Sequence, residues 1–203
     1  MGFYERRVFP WLNDRLNRDP ELQKLRAEAM AGARGQVIEI GFGSGANLAH
    51  YPPAVESVTA VEPNAGMRDR AVRNLTSVPV RFLAGTAESV PLPDATFDTA
   101  VSTLTLCTVD DPDKALRELR RLLRDDGRLI VLEHGLSEDA NVARWQNRLN
   151  RIQHFVACGC NLNRAIVPMV ERAGFDFDSF RSFYAPKLPK THGWITMGTA
   201  RKA

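Results

Sequence analysis

Two carboxylates and a run of glycines are the residues of this chain best suited to hold a charged ligand. Glu39 precedes the loop 41–45, where glycine occupies every second position, and Glu62 follows the loop at about the 20-residue spacing of a ribose-binding acid. Glycine permits the tight turn and lets a ligand approach the backbone closely. The carboxylate of Glu39 suits an ammonium ion and would repel a pyrophosphate, and Glu62 can accept hydrogen bonds from both hydroxyls of a ribose. The pattern therefore favours a nucleoside ligand that carries an ammonium group. The glycines alone leave dinucleotide binding open, because Gly41, Gly43 and Ala46 also satisfy the G-x-G-x-x-G/A pattern.

Three other side chains are candidates for catalysis. His134 follows a buried apolar segment at the edge where ligands bind, so its imidazole can take up a proton; anchoring of a loop is an equally good interpretation. Tyr184 and His192 border the loop 185–192, which is long enough to fold over the site and bring both side chains to a substrate.

A metal site is not predicted. His154, Cys158 and Cys160 lie close together in the sequence, at the end of a predicted helix and in the loop after it. Their spacing does not match the paired spacings that are typical of zinc ligands.

The elements that must position these residues are strands that alternate with helices. Strands are predicted at 37–40, 58–61, 80–84, 97–102 and 129–132, with 175–184 and 194–201 as a final antiparallel pair. Helices are predicted from the glycine loop toward Tyr51, at 65–75, after Pro112, at 142–156 and at 165–173. The helix at 142–156 should bury one apolar stripe that includes Trp145, Ile152 and Val156. Glu39, Glu62 and His134 fall at or near strand carboxyl ends, where parallel sheets bind ligands.

The pattern Glu39-x-Gly41-x-Gly43-x-Gly45 resembles the first motif of class I S-adenosylmethionine (SAM)-dependent methyltransferases of the type 11 family. The similarity continues through 62–64, 87–94, 97–98 and 127–129, and so spans nearly the whole chain. It implies a Rossmann-like, doubly wound α/β sheet of seven strands, mostly parallel with the last strand antiparallel. It also implies SAM as cofactor and S-adenosylhomocysteine as product, bound by Glu39, Gly41, Gly43, Gly45, Asn47, Glu62, Pro63, Asn64, Met67, Thr86, Ala87, Glu88, Thr103 and Leu104. At Thr86 the family often has aspartate, and a hydroxyl accepts a hydrogen bond from the adenine amino group more weakly.

Two further segments, 103–107 and 159–164, are similar to elements of the alkyl-thiol methyltransferase branch. The first is small and apolar, and it lacks the acid or amide with which many nitrogen methyltransferases orient an amine. These features favour a small, largely apolar acceptor that carries a thiol or a hydroxyl; a quinone or another lipid-pathway substrate is the alternative. An NAD(P)-dependent oxidoreductase and a non-catalytic SAM-binding interaction module are the interpretations from other classes. Enzymes of the thiol branch are membrane-anchored, whereas we expect no anchor in this chain.

Composition sets the remaining limits. The 203 residues, 44% of them hydrophobic, are enough for one compact domain, in which we expect a helical cap at 1–34 and a catalytic domain at 35–203. A net charge of +3, from 27 basic against 24 acidic residues, does not favour a nucleic-acid partner. The sequence has neither a run of about 18 apolar residues nor a signal-peptide pattern, and its three cysteines suit a reducing compartment, so we expect a cytoplasmic location. A short amphipathic helix with Trp11, Leu12 and Leu16 is predicted, and the family resemblance implies that it lies over the substrate opening. Core packing and contact with a membrane surface are the alternatives.

Overall fold

A seven-stranded sheet forms the centre of the computed structural model, which describes residues 19–203 together with residues 11, 15 and 17. The strands are β1 (Gly35–Ile40), β2 (Val55–Val61), β3 (Val80–Leu83), β4 (Phe97–Thr103), β5 (Leu123–His134), β6 (Phe175–Tyr184) and β7 (Trp194–Lys202). The helices are α1 (Pro20–Met30), α2 (Ala65–Ala71), α3 (Pro112–Leu122), α4 (Ala140–Val156), α5 (Ile166–Arg172) and α6 (Lys190–Gly193), with short 3-10 turns at Leu48–His50 and Val72–Asn74.

The strands follow the order β3-β2-β1-β4-β5-β7-β6 across the sheet. β1 to β5 pair in parallel, whereas β7 runs antiparallel to both β5 and β6. The predicted doubly wound α/β sheet, mostly parallel with the last strand reversed, is therefore confirmed. β1 lies between β2 and β4, and the strand order reverses there because the chain runs outward from β1 to β3 and then returns to β4 on the other side of β1. Such a point of reversal opens a crevice at the strand carboxyl ends, the usual ligand position in this architecture.

Both faces of the sheet are covered by helices, which explains the long apolar runs of its central strands. Residues 129–132 of β5 are all at most 1% exposed. Leu116 and Leu119 of α3 and Val170 of α5 pack in the core on one face, and Met30 of α1 packs in the core on the other. The central strands are thus held rigidly from both sides, and so are the side chains at their ends.

Helix α1 begins at an Asp-Pro pair. The Asp19 side chain accepts hydrogen bonds from the backbone N–H groups of Glu21 and Leu22, and Pro20 occupies the first turn. The helix carries the fully buried Met30 at its end and so is fastened to the sheet.

The predicted helix around Leu12 and Leu16 lies outside the described residues, apart from the exposed Trp11. In the part of the chain that the structure describes, no helix combines the length and the apolar character needed to cross a membrane.

The prediction of a helix after the glycine loop is wrong. Only the 3-10 turn Leu48–His50 forms there, and Tyr51 is already extended, with φ −66° and ψ 128°. Pro52 follows directly, and the residue before a proline is disfavoured in helical conformation. The chain therefore leaves the loop early, which leaves Tyr51 buried beneath the glycine loop rather than on a helix.

Helix α4 is present, but its predicted buried stripe is wrong. Trp145, Ile152 and Val156 are each more than half exposed. The helix instead turns Val142 and Gln146 inward, and the Gln146 amide donates to the backbone carbonyl of Gly135 while its oxygen accepts from the N–H of Ser137. The orientation of this helix is therefore set by hydrogen bonds to buried backbone groups and not by the spacing of its apolar residues.

Candidate active site

A cavity of about 580 Å³ lies at the carboxyl ends of β1, β2 and β4, at the point where the strand order reverses. All the predicted cofactor residues except Gly45 and Asn47 line it. The other lining residues include Asn17 and Arg26 at one end, and Thr105, Thr108, Val109, Asp110 and Cys158 elsewhere.

The glycine loop shapes one wall of this cavity. Gly41 has φ +60°, and a side chain there would place Cβ 2.2 Å from Thr105 Oγ1, so the loop can approach the end of β4 only with glycine at this position. Gly43 has φ +59°, but a Cβ on it would meet no protein atom closer than 3.8 Å. The space beside Gly43 belongs to the cavity, so this glycine keeps it open for a ligand.

Glu39 is the centre of a buried polar network at one end of the cavity. Its carboxylate accepts hydrogen bonds from Tyr51 OH at 2.6 Å and from Asn47 Nδ2 at 2.8 Å. The same amide donates to Thr103 Oγ1, and Asn47 Oδ1 accepts from the Arg26 guanidinium at 2.7 Å. Asn47 thus lies behind the cavity wall and fixes the orientation of the groups that form it.

The charge of Glu39 is only partly compensated. The side chain is 1% exposed, and burial raises its pKa to about 7, although the hydrogen bond from Tyr51 and the charge of Arg26 oppose that rise. Arg26 is 3% exposed, and its Nε has no hydrogen-bond partner among the described residues. This end of the cavity therefore presents one buried carboxylate and one buried guanidinium, a pair suited to a zwitterionic group.

Glu62 borders the middle of the cavity. Its two carboxylate oxygens accept hydrogen bonds from the N–H groups of Gly43 and Asn64, each at 2.8 Å. Burial raises the pKa of Glu62, against these two hydrogen bonds. A carboxylate has about four lone-pair positions, so two remain for hydroxyl groups in the cavity.

The other end of the cavity is formed by Thr86, Ala87 and Glu88, as the resemblance implied for the adenine. Asp110 joins them, because its N–H donates to Glu88 Oε1 at 3.0 Å. Sequence reasoning missed Asp110, which is exposed at the rim and carries no recognisable pattern.

The loop after β4 forms the wall on the side of the predicted acceptor. Leu104 lines the cavity with φ +51°, a conformation that is strained for a leucine. The fully buried Glu133 carboxylate holds this loop, because it accepts hydrogen bonds from Ser102 Oγ and from the N–H groups of Thr105 and Leu106. Leu106, by contrast, is buried in the core and lies away from the cavity.

The three predicted catalytic side chains lie outside the residues that line the cavity. His134 Nε2 is 3.2 Å from Cys160 Sγ, and Tyr184 OH is 2.7 Å from Ser137 Oγ. His192 contacts Thr191 through Nδ1 and Gln153 through Nε2. Their catalytic roles stay predictions.

The three metal-ligand candidates considered from the sequence, His154, Cys158 and Cys160, do not lie together in the structure. Cys158 lines the cavity and His154 is exposed, whereas Cys160 meets Cys107 and His134. The contact with Cys107, followed by burial, raises the pKa of the Cys160 thiol.

Three residues that shape the site were missed in the sequence: Arg26, Tyr51 and Glu133. Arg26 and Glu133 come from segments distant from the glycine loop in the chain, whereas Tyr51 follows the loop closely and is buried because the expected helix does not form there. Glu133 gave the clearest signal, since an acidic residue that ends a fully apolar strand must find buried donors.

These features define a class of protein: a Rossmann-like α/β domain with a ligand-sized cavity at its strand ends. Residues 38–131 match the family pattern described as a methyltransferase domain. Human thiol S-methyltransferase TMT1A is 31% identical over 167 residues, which cover 78% of this chain and 68% of that protein. Human thiol S-methyltransferase TMT1B is 30% identical over 206 aligned positions, which cover 94% of this chain and 82% of that protein. A SAM-dependent methyltransferase structure from Thermotoga maritima superposes with a TM-score of 0.69 at 25% identity and covers 98% of both chains.

The chain belongs to the family of class I SAM-dependent methyltransferases. Its fold and family imply SAM as the methyl donor, and they favour methyl transfer over the oxidoreductase and interaction-module interpretations.

Proposed function

We propose that the cavity binds SAM with its methionine half at Glu39 and its adenine at Thr86, Ala87 and Glu88. The observation that carries this proposal is the buried Glu39 carboxylate, whose pKa of about 7 reflects a charge that lacks a full counter-ion. An α-ammonium group would supply that counter-ion. The neighbouring Arg26 guanidinium would then hold the α-carboxylate, because it lines the same end of the cavity.

Glu62 would bind the ribose hydroxyls with its two remaining pairs of electrons. Its hydrogen bonds to Gly43 and Asn64 fix the carboxylate before a ligand arrives, so little ordering is needed on binding. Gly45, which lies outside the cavity lining, would support the loop from behind.

When bound, SAM supplies a methyl group that its sulfonium already makes electrophilic. The protein then has to align the acceptor with that carbon and exclude water. The loop held by Glu133 contributes the wall for this alignment, with Thr103 and Leu104 facing the cavity.

The acceptor that this wall suits best is a small, largely apolar molecule with a thiol. Leu104 offers an apolar contact, and the segment 103–107 contains no acid or amide to orient an amine. The two human relatives are named as thiol S-methyltransferases, which supports the same chemistry. A thiol with a pKa near about 8.5 also loses its proton at little cost at neutral pH, so a strong base is unnecessary.

We further propose that residues 1–34 act as a cap on the domain 35–203, because Arg26 reaches the cofactor end of the cavity from α1. The three cysteines, none of which forms a disulfide bond, support a reducing compartment such as the cytoplasm.

Calorimetry with S-adenosylhomocysteine and with NADH tests donor binding. We expect micromolar binding of S-adenosylhomocysteine and no response to NADH. Tight binding of NADH with no response to S-adenosylhomocysteine would contradict the proposal. Glu62→Gln is a matched variant, since it keeps the size of the side chain and removes the charge.

A further inference from the structure

Three side chains that can ligate a transition metal converge at the carboxyl edge of the sheet. Cys107 follows β4, His134 ends β5, and Cys160 lies in the loop between α4 and α5. The two sulfurs and an imidazole nitrogen lie within 4.8 Å of one another, and His134 Nε2 is 3.2 Å from Cys160 Sγ. Cys107 is 2% exposed, whereas His134 and Cys160 are half-buried. We call these three residues the Cys2His cluster.

The separations within the cluster are close to those that zinc imposes. Zn–S bonds of about 2.3 Å and Zn–N bonds of about 2.0 Å in tetrahedral geometry place ligand atoms about 3.5 to 3.8 Å apart. The 3.2 Å contact therefore has to open slightly, and a separation at the 4.8 Å upper bound would have to close by about 1 Å. Side-chain rotations of this size leave the backbone in place.

The backbone around the cluster is held by hydrogen bonds that do not involve its ligand atoms. Asn161 donates to the carbonyl of Cys107 through both its N–H and its Nδ2, at 2.8 and 3.0 Å. Gly159 precedes Cys160 with φ +95° and reverses the chain so that the cysteine meets β5. Arg164 donates to the carbonyl of Val109 at 2.7 Å and ties the same two loops together. Ligands on such fixed loops are preorganised for an ion.

Charge and hydrogen bonding also fit a metal cation. A divalent ion with two thiolates and a neutral imidazole has no net charge, so it can be buried without an uncompensated charge. His134 Nε2 lies 3.2 Å from the Cys160 thiol, which is a weak hydrogen-bonding partner, so a metal bond would give this nitrogen a far stronger interaction.

We propose that Cys107, His134 and Cys160 form a zinc site. The cluster contains no fourth histidine, cysteine or acidic ligand in the described part of the chain. Three protein ligands leave the fourth tetrahedral position to water or another exogenous ligand, as is usual in open zinc sites. Thr108, which lines the cavity, has its hydroxyl 3.3 Å from Cys107 Sγ, so the zinc site adjoins the cavity wall.

Metal analysis of the untagged full chain, reduced with a phosphine, tests this proposal. After incubation with zinc and removal of the excess, elemental analysis should find about one zinc ion per chain. Replacement of zinc by cobalt should give the visible bands of a tetrahedral ion and a near-ultraviolet thiolate-to-cobalt band. These wild-type spectra need no variant, so a folding defect cannot obscure them. Absence of zinc together with absence of the thiolate-to-cobalt band would overturn the proposal.

Matched cysteine variants locate the site. Cys107→Ser and Cys160→Ser should each lower zinc affinity at least 10-fold and reduce the thiolate-to-cobalt band. Cys158→Ser is the control, because this cysteine is two residues from Cys160 but outside the cluster. Loss of zinc from Cys158→Ser equal to that from Cys160→Ser would contradict the assignment. Metal content is the readout throughout, so the result is independent of methyl transfer and of the proposed acceptor.

Discussion

Burial of Glu39 should make binding of the methyl donor depend on pH. The carboxyl group has a pKa of about 7 in the ligand-free protein, compared with an ordinary value of 4.5. Burial is the largest cause of this rise. If an ammonium group binds beside it, the charged form is stabilised and the pKa returns toward 4.5. Binding at pH 5 must then remove a proton from Glu39, whereas at pH 7 the Glu39 carboxyl group is already ionised in half of the protein molecules.

The size of the effect follows from these two values. At pH 5 the ligand-free protein is about 99% protonated at Glu39, so binding is weakened about 80-fold relative to the fully ionised protein. At pH 7 the corresponding factor is about 2, which leaves a difference of about 40-fold, or about 2 kcal/mol, between the two pH values. The α-amino group of the ligand stays largely protonated over this range, so it contributes little.

Calorimetric titration with S-adenosylhomocysteine at pH 5, 6 and 7 measures this dependence. In buffers with different ionisation enthalpies, the wild type should also release about 0.7 to 0.9 proton per ligand at pH 5 to 6. Glu39→Gln keeps the shape of the side chain and should remove most of the pH dependence of binding. A small pH dependence should remain because the pKa of Glu62 is also raised. An equal dependence in the wild type and in Glu39→Gln would refute the proposed ammonium contact.

Stability of the ligand-free protein should change with pH in the opposite direction. Because the pKa of Glu39 is higher in the folded than in the unfolded chain, its contribution is fully present below about pH 4.5 and is lost as pH rises through about 7. The melting temperature of the wild type relative to Glu39→Gln should therefore fall between pH 5 and 8. A constant difference across that range would show that Glu39 is not protonated in the folded protein.

Four substitutions test other parts of the site. Glu62→Ala should weaken S-adenosylhomocysteine binding about 10- to 150-fold, the range for hydrogen bonds to a charged group, and unchanged calorimetric affinity in a folded variant would exclude the ribose contact. Gly43→Val should abolish measurable binding, because its side chain would enter the cavity, whereas Gly41→Ala should chiefly lower the melting temperature through its clash with Thr105; equal effects of both on binding and melting would contradict these roles. Glu133→Gln should lower the free energy of unfolding in urea by about 2 to 4 kcal/mol, because an amide group would face buried donors; an unchanged midpoint would show that the loop after β4 does not depend on the carboxylate.

The sheet could be predicted because its evidence is local. Apolar runs such as 129–132 and the glycine loop after β1 each specify a strand or a turn within a few residues. The order of such elements then limits the sheet to few topologies. The position of Glu39 and Glu62 at the cavity could be predicted for the same reason, since each lies at or near the carboxyl end of a strand.

The orientation of α4 and the partners of Glu39 could not be predicted, because both depend on distant groups. The apolar period of α4 suggested Trp145 as a buried residue, but Gln146 satisfies backbone groups beneath the helix and turns Trp145 outward. Arg26 and Tyr51 reach the hydrogen-bond network of Glu39 from opposite sides of the glycine loop in sequence. No local pattern distinguishes them from other arginines and tyrosines in the chain.

Transfer of a labelled methyl group from SAM tests the central claim most directly. The purified protein should be offered a small alkanethiol, a phenol, a quinol, a primary amine and RNA, with Glu62→Ala as the control for dependence on the cofactor site. We predict labelled thioether from the alkanethiol, formed together with an equal amount of S-adenosylhomocysteine and strongly reduced in Glu62→Ala. Label that moved to RNA or to the amine, but not to the thiol, would contradict the proposed acceptor. No transfer to any acceptor from a protein that binds S-adenosylhomocysteine would contradict the assignment of these substrate classes altogether.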